Sequence, residues 1–266
     1  MKKVASLKYG VVFKKAFCDP EIFTAFVQDM LGLSVLIKHV EAEKEFDPPV
    51  GYIKPRFDLF AEDASQCVIV DIQHARTIDH YDRFLYYHCV ALLEQISNSA
   101  NYRPGLKVFT VVVLTSGDRH GTPVSITDFD PHDLSGRPLR EIPHKIIYLC
   151  PKYVSEETPQ PYREWLEAIN DTLDEEVDES LYRRAEIQKL FTTIQIDHIS
   201  PEERACMIEE YHQEELQEVA VEEGKRDIAS SLLRQGVPVE VVAKATGVPM
   251  GELAAMQGEK GSACDT

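Results

Sequence analysis

Residues 55–73, Pro-Arg-Phe-Asp-Leu-Phe-Ala-Glu-Asp-Ala-Ser-Gln-Cys-Val-Ile-Val-Asp-Ile-Gln, constrain the fold more than any other stretch. Two runs rich in β-branched and aromatic residues flank the polar segment Glu62 to Gln66, the pattern of two antiparallel strands joined by a short loop. Alternation along a strand puts Arg56, Asp58 and Phe60 on one face of the first strand and Phe57, Leu59 and Ala61 on the other. On the second strand Val68, Val70 and Ile72 oppose Ile69, Asp71 and Gln73 in the same way. Folding the pair about its loop brings Asp58 close to opposite Asp71, with Gln73 one pleat further along. The expected hairpin has one apolar face and one carboxylate face.

Side-by-side carboxylates repel each other, and something must offset that cost. A divalent cation does so well, because hard Mg²⁺ prefers oxygen ligands and is often held by one or two carboxylates plus water and substrate phosphate. The ordinary alternative is a surface ion pair with Arg56 or a lysine.

After Gln73 the chain runs from His74 to Gln95 with apolar residues at helical spacing, including Phe84, Tyr87, Val90 and Ala91. A strand ending in acid-x-amide, then a helix carrying Arg and Tyr toward the same edge, resembles the recombination-promoting nuclease and transposase family of the PD-(D/E)XK superfold. The matching residues are Arg56, Asp58, Asp71, Gln73, Arg83 and Tyr86 or Tyr87. The resemblance extends to an opening helix around Phe13, Lys14 and Phe17, to Asn101-Tyr102 followed by the run Val108 to Leu114, and to an ending around Glu223-Gly224 and Thr246-Gly247. Two positions depart from the family pattern: Gly10 stands where an aspartate is usual, and Asp71 where a glutamate is usual.

The resemblance implies an α/β, restriction-endonuclease-like core, a mixed sheet flanked by helices, with an all-α C-terminal extension. It implies a Mg²⁺-dependent endonuclease acting on double-stranded DNA, with Mn²⁺ as a substitute. Asp58 and Asp71 would hold the metal, and Gln73, which cannot act as a base, would position the nucleophile by hydrogen bonds. Arg83, supported by Arg56 or Lys14, would neutralise the scissile phosphate, and Tyr87 would orient it. The competing expectation is a weak or inactive nuclease-fold scaffold that acts by binding protein or nucleic acid. Cleavage of RNA stays open.

With 266 residues and 44% hydrophobic content, the chain can bury one sizeable core plus an appendage. Lys2, Lys3, Lys8, Lys14 and Lys15 interrupt the first apolar patch, and no apolar run approaches the ~18 residues of a membrane span, so a cytoplasmic protein without a membrane partner is expected. Six cysteines stand singly, without a zinc-ligand spacing, and read as reduced and mostly buried thiols. The net charge of -17 is uneven: residues 1–150 carry 17 basic against 19 acidic residues, so nearly all the excess lies beyond 150. The catalytic-looking half is therefore close to neutral, though it forgoes the long-range attraction that a basic protein has for phosphate.

Along the chain, Leu7 to Phe17 reads as a helix, and Asp19-Pro20-Glu21 starts a second one ending at Gly32. Ile37 to Phe46 alternates as a strand, Lys107 to Thr115 reads as a central strand, Ser116 to Arg140 as a long loop and Lys145 to Leu149 as another strand, for a sheet of four or five. His80 and His88, on the Arg83 helix, could touch phosphate. The expected divisions are a nuclease-like core over 1–152, a helical elaboration over 153–199 and an acidic helical tail over 200–266. That tail opens on the capping box Ser200 to Glu203 and ends in a helix-turn-helix outline. The second helix of that outline, Met250 to Met256, lacks side chains for phosphates or base edges, so homo-oligomerisation through the tail, or restraint of the nuclease-like core by it, is expected rather than DNA reading.

Overall fold

The computed structural model describes residues 1–46, 54–74, 80–95 and 104–258. In chain order the elements are β1 (Lys2–Lys3), α1 (Gly10–Phe17), α2 (Pro20–Leu31), β2 (Glu41–Glu45), β3 (Arg56–Glu62), β4 (Gln66–Gln73), α3 (His80–Leu93), β5 (Lys107–Leu114), β6 (Val124–Asp128), β7 (Lys145–Leu149), α4 (Gln160–Asp171), β8 (Glu176–Val177), α5 (Ala185–Thr193), α6 (Pro201–Arg234), α7 (Val239–Thr246) and α8 (Met250–Gly258). Six strands form one mixed sheet in the order β2-β3-β4-β5-β7-β6. β4, β5 and β7 run parallel, and the strands outside them are antiparallel to their neighbours.

The apolar run Lys107 to Leu114 sits mid-sheet, buried on both faces, as a nearly continuous hydrophobic strand requires. The two edge strands were the harder ones to read. β2 is only Glu-Ala-Glu-Lys-Glu, shorter and more polar than the alternation from Ile37 suggests. β6 falls inside the stretch expected to be loop, because an edge strand whose Ile126 is 50% exposed buries too little to show a pattern.

On one face of the sheet, α1, α2, α4 and α5 bury Phe13, Phe17, Phe26, Trp165, Leu190 and Phe191 against Leu59, Val68, Val70, Val111 and Leu149. Trp165 packs edge-on against Phe26 with ring centroids 5.3 Å apart, and truncating it to Ala would cost about 3–5 kcal/mol. The start of α2 follows its sequence signals. Asp19 accepts hydrogen bonds from the Glu21 and Ile22 backbone N–H groups, Pro20 opens the helix, and Gly32 closes it at φ 63°, where a side chain would be strained. Helix α3 covers the opposite face, packing Phe84 and Ala91 over Ile69, Val108, Val112 and Tyr148.

The chain divides into two compact units, Met1–Met207 and Ile208–Thr266. The first turns of α6 belong to the first unit. The Ser200 N–H donates to Glu203 Oε2 at 2.7 Å and the Glu203 N–H donates to Ser200 Oγ at 3.2 Å, a reciprocal cap. Lys15 on α1 pairs with Glu203 at 2.9 Å, and Met207 packs against the main core. The second unit has its own small core of Ala229, Val242, Val248 and Leu253. Among the described residues no helix is long and apolar enough to cross a membrane. Of the five cysteines described, Cys67 and Cys150 are buried, Cys18 is half-buried, and Cys89 and Cys206 are exposed, so fewer are buried than expected.

Candidate active site

The β3–β4 hairpin pairs regularly from Glu62↔Cys67 to Leu59↔Val70, and there the rungs stop. The next positions, Asp58 and Asp71, bring carboxylates in place of the backbone ladder. The Asp58 N–H donates to Asp71 Oδ1 at 3.0 Å, and the Ile72 N–H donates to Asp58 Oδ2 at 2.9 Å. The opposition of the two acids read from the sequence therefore holds, but each side chain lies between the strands. On the far side β4 stays paired with β5 through Gln73↔Leu114, so it is β3 that departs.

A change of face along β3 accompanies this. Strict alternation groups Phe57 with Leu59 and Ala61, yet Phe57 lies with Phe60, Cys67 and Ile69 under α3, whereas Leu59 and Ala61 face the opposite helices. The strand turns about its axis at Asp58, which aims that carboxylate toward β4. Neither hairpin face is a solvated carboxylate face: Asp71 is 4% exposed and Gln73 8%. On β4 the alternation holds, with Val68 and Val70 on one side and Cys67 and Ile69 on the other.

The electrostatics follow from this burial. Desolvation pushes the Asp71 carboxyl well above the usual carboxylate range and the neighbouring Asp58 charge adds to it, against the Asp58 N–H and the Arg83 guanidinium. Burial likewise raises Asp58, opposed by the Ile72 N–H, Lys14 and Arg83. Asp71 Oδ2 is buried, and among the described residues it has no hydrogen-bond partner. Leaving a carboxylate oxygen in that state is costly, which favours a proton or a cation beside it.

Helix α3 brings the next two residues in. Arg83 Nη2 donates to Gln73 Oε1 at 2.6 Å, and the guanidinium lies 4.6 Å from the Phe84 ring centre and 5.9 Å from that of Tyr87. Tyr87 is half-buried and packs edge-on against Phe57 at 5.6 Å. Burial raises its hydroxyl pKa, and Arg83, Asp71 and Asp58 all act on it, so Tyr87 borders the carboxylates. Lys14 and Arg56 are both engaged elsewhere, each 2.5 Å from a Glu43 oxygen. Glu43, opposite Asp58 on β2, is the residue that sequence reasoning missed; within the strand Glu-Ala-Glu-Lys-Glu nothing distinguishes it.

His88 offers nothing to a phosphate. It is fully buried, hydrogen-bonded through Nδ1 to Thr110 Oγ1 at 2.9 Å and stacked on Phe129. His80 is 7% exposed and packs on Tyr81. His74 is structural, with Nδ1 2.7 Å from Thr115 Oγ1.

Among the described residues no cluster of three or more His, Cys, Asp or Glu is placed to hold a metal ion. Two carboxylates with an unspent oxygen nevertheless suit a hard cation that takes its remaining ligands from water and a phosphate. No family model, curated protein or solved structure matches this chain.

Proposed function

We propose that the protein is a divalent-metal-dependent DNA endonuclease with a PD-(D/E)XK-like core, in keeping with its resemblance to recombination-promoting nucleases. The observation that carries this reading is Asp71 Oδ2, a buried carboxylate oxygen without a partner among the described residues, next to a second carboxylate and two residues before Gln73. Asp58 and Asp71 would hold Mg²⁺ or Mn²⁺, which would supply positive charge against the phosphoryl oxygens and make an attacking water more acidic. Gln73 carries a donor and an acceptor but no basic atom, so it orients the nucleophile. Arg83, kept in place by Gln73 and the Phe84 ring, presents planar donors to a phosphate. Tyr87, whose ring lies beside the Arg83 guanidinium, would share that contact through its hydroxyl. Lys14 and Arg56 are the supporting cations. Double-stranded DNA in the cytoplasm is the proposed substrate and setting.

The test is nicking of supercoiled plasmid by purified protein. Mg²⁺ or Mn²⁺ should support it, EDTA should stop it, and Arg83→Ala should reduce it about a hundredfold, the order expected for loss of one preorganised charge-stabilising donor. Metal-independent nicking that persists in EDTA would remove the proposal.

A further inference from the structure

Lys14 and Arg56 approach from different elements, α1 and β3, and meet on one carboxylate. Lys14 Nζ lies 2.5 Å from Glu43 Oε1 and Arg56 Nη2 lies 2.5 Å from Glu43 Oε2. Lys14 also acts on Asp58, favouring its ionised form. Two cations beside a two-carboxylate site are where the negative charge of a bound phosphate would be accepted.

The backbone at Glu43 is unusual as well. Its φ is +58°, in the left-handed region that a glutamate seldom occupies. The β2–β3 rungs Glu41↔Phe60, Ala42↔Leu59, Lys44↔Phe57 and Glu45↔Arg56 flank it, and the Glu43–Asp58 rung between them is missing. The unusual backbone and the absent rung thus coincide with the residue on which the two cations meet. The carboxylate itself lies near Asp58, whose ionised form it disfavours. With a side chain 44% exposed on an edge strand, Glu43 has solvent to swing into.

We propose that Glu43 is a built-in occupant of the phosphate position: its carboxylate holds Lys14 and Arg56 until a nucleic-acid phosphate displaces it, so that it gates substrate binding. A carboxylate and a phosphate present the same kind of anionic oxygen to these donors. Displacement would free both cations at once and remove a repelling charge from Asp58. The inference rests on the nuclease reading and names the residue that sets how readily that site admits DNA.

The test measures binding of a short fluorescein-labelled DNA duplex across a salt series, using the full chain with Asp71→Asn to block cleavage. Adding Glu43→Gln should tighten binding about tenfold at low salt and steepen the salt dependence by about one to two counterions. Glu43→Gly, which removes the carboxylate and suits the positive φ, should do the same. Adding Lys14→Gln and Arg56→Gln to Glu43→Gln should cancel the gain. Unchanged affinity and slope in both Glu43 variants overturn the proposal, and so does a gain that survives loss of both cations. Absence of binding in every variant overturns it too, and plasmid nicking by the chain with Asp71 intact then shows whether the nuclease reading falls with it.

Discussion

Two pairs of titratable groups sit in or beside the sheet, and they differ in what surrounds them. Asp58 and Asp71 are pushed toward the neutral form by burial, and so are His88 and His144, with His88 lowered to about 3 by desolvation and by its neighbour. Each pair also leaves one atom without a hydrogen-bond partner among the described residues, Asp71 Oδ2 and His88 Nε2. The imidazoles are otherwise enclosed by neutral groups: Thr110 at 2.9 Å, the Val108 N–H donating to His144 Nδ1 at 3.0 Å, and the Phe129 ring stacked at 5.0 Å. The carboxylates instead have Arg83 and Lys14 acting on them and a partly exposed member in Asp58. Burial alone does not make a reactive site. What separates the two is the opposite charge and the partly exposed Asp58 beside the carboxylate pair.

The comparison breaks most sharply at Asp71. Asp71→Asn keeps an oxygen that can accept the Asp58 N–H but removes the charge, and plasmid nicking should fall about a thousandfold. The same variant should lose the rise in melting temperature that Mn²⁺ gives the unchanged protein by mass action. A metal-induced rise that survives in Asp71→Asn would take the ligand role away from the hairpin.

At the imidazole pair the expected loss is of stability and not of chemistry. His88→Leu should cost about 1–3 kcal/mol in urea unfolding, because the Thr110 hydroxyl loses its buried partner, while nicking stays within about twofold. A much larger loss of nicking would give His88 a part in the reaction and erase the contrast.

Acidity separates the pairs with opposite signs. A carboxyl raised in the folded state holds its proton more tightly than in the unfolded chain, so metal-free stability should fall as pH rises from about 4 through the raised values of Asp58 and Asp71. A histidine lowered on folding resists a proton that the unfolded chain accepts. The stability it contributes is complete above about 6.5 and is lost as pH falls toward about 3. Denaturant midpoints against pH should show both limbs, with Asp71→Asn flattening the first and His88→Leu the second.

The smallest effect expected is at the second unit. Its twelve acidic residues against five basic ones oppose contact with phosphate. Ending the chain after Met207 should change duplex binding by no more than about twofold at moderate salt, where exposed charges are screened. We propose that this unit carries homo-oligomerisation, so light scattering should report a lower mass for the shortened chain.

Much of the frame was legible because it rests on burial patterns. The central strand at 107–114, the Asp19 cap and the alternation along β4 all follow from side chains with a single low-energy placement. The opposition of Asp58 and Asp71 was readable from strand register. That the two carboxylates replace the backbone ladder was not, because alternation assumes a regular strand and the turn at Asp58 breaks it. β6 and β2 were obscure for the reason edges usually are: half their surface is wet, and polar residues cost them nothing. The role of Glu43 depends on cations 29 and 13 positions away in sequence, a relation that no local pattern carries.

Among the described residues β2 ends the sheet on its side, and this bears on colloidal behaviour. An unpaired strand edge is a template for a neighbouring chain, and proteins blunt it with charge, brevity or a break in the backbone. β2 has all three: five residues, four of them charged, with the left-handed turn at Glu43 interrupting the donor row. The same glutamate that pairs with Lys14 and Arg56 thus also breaks the regularity of that edge.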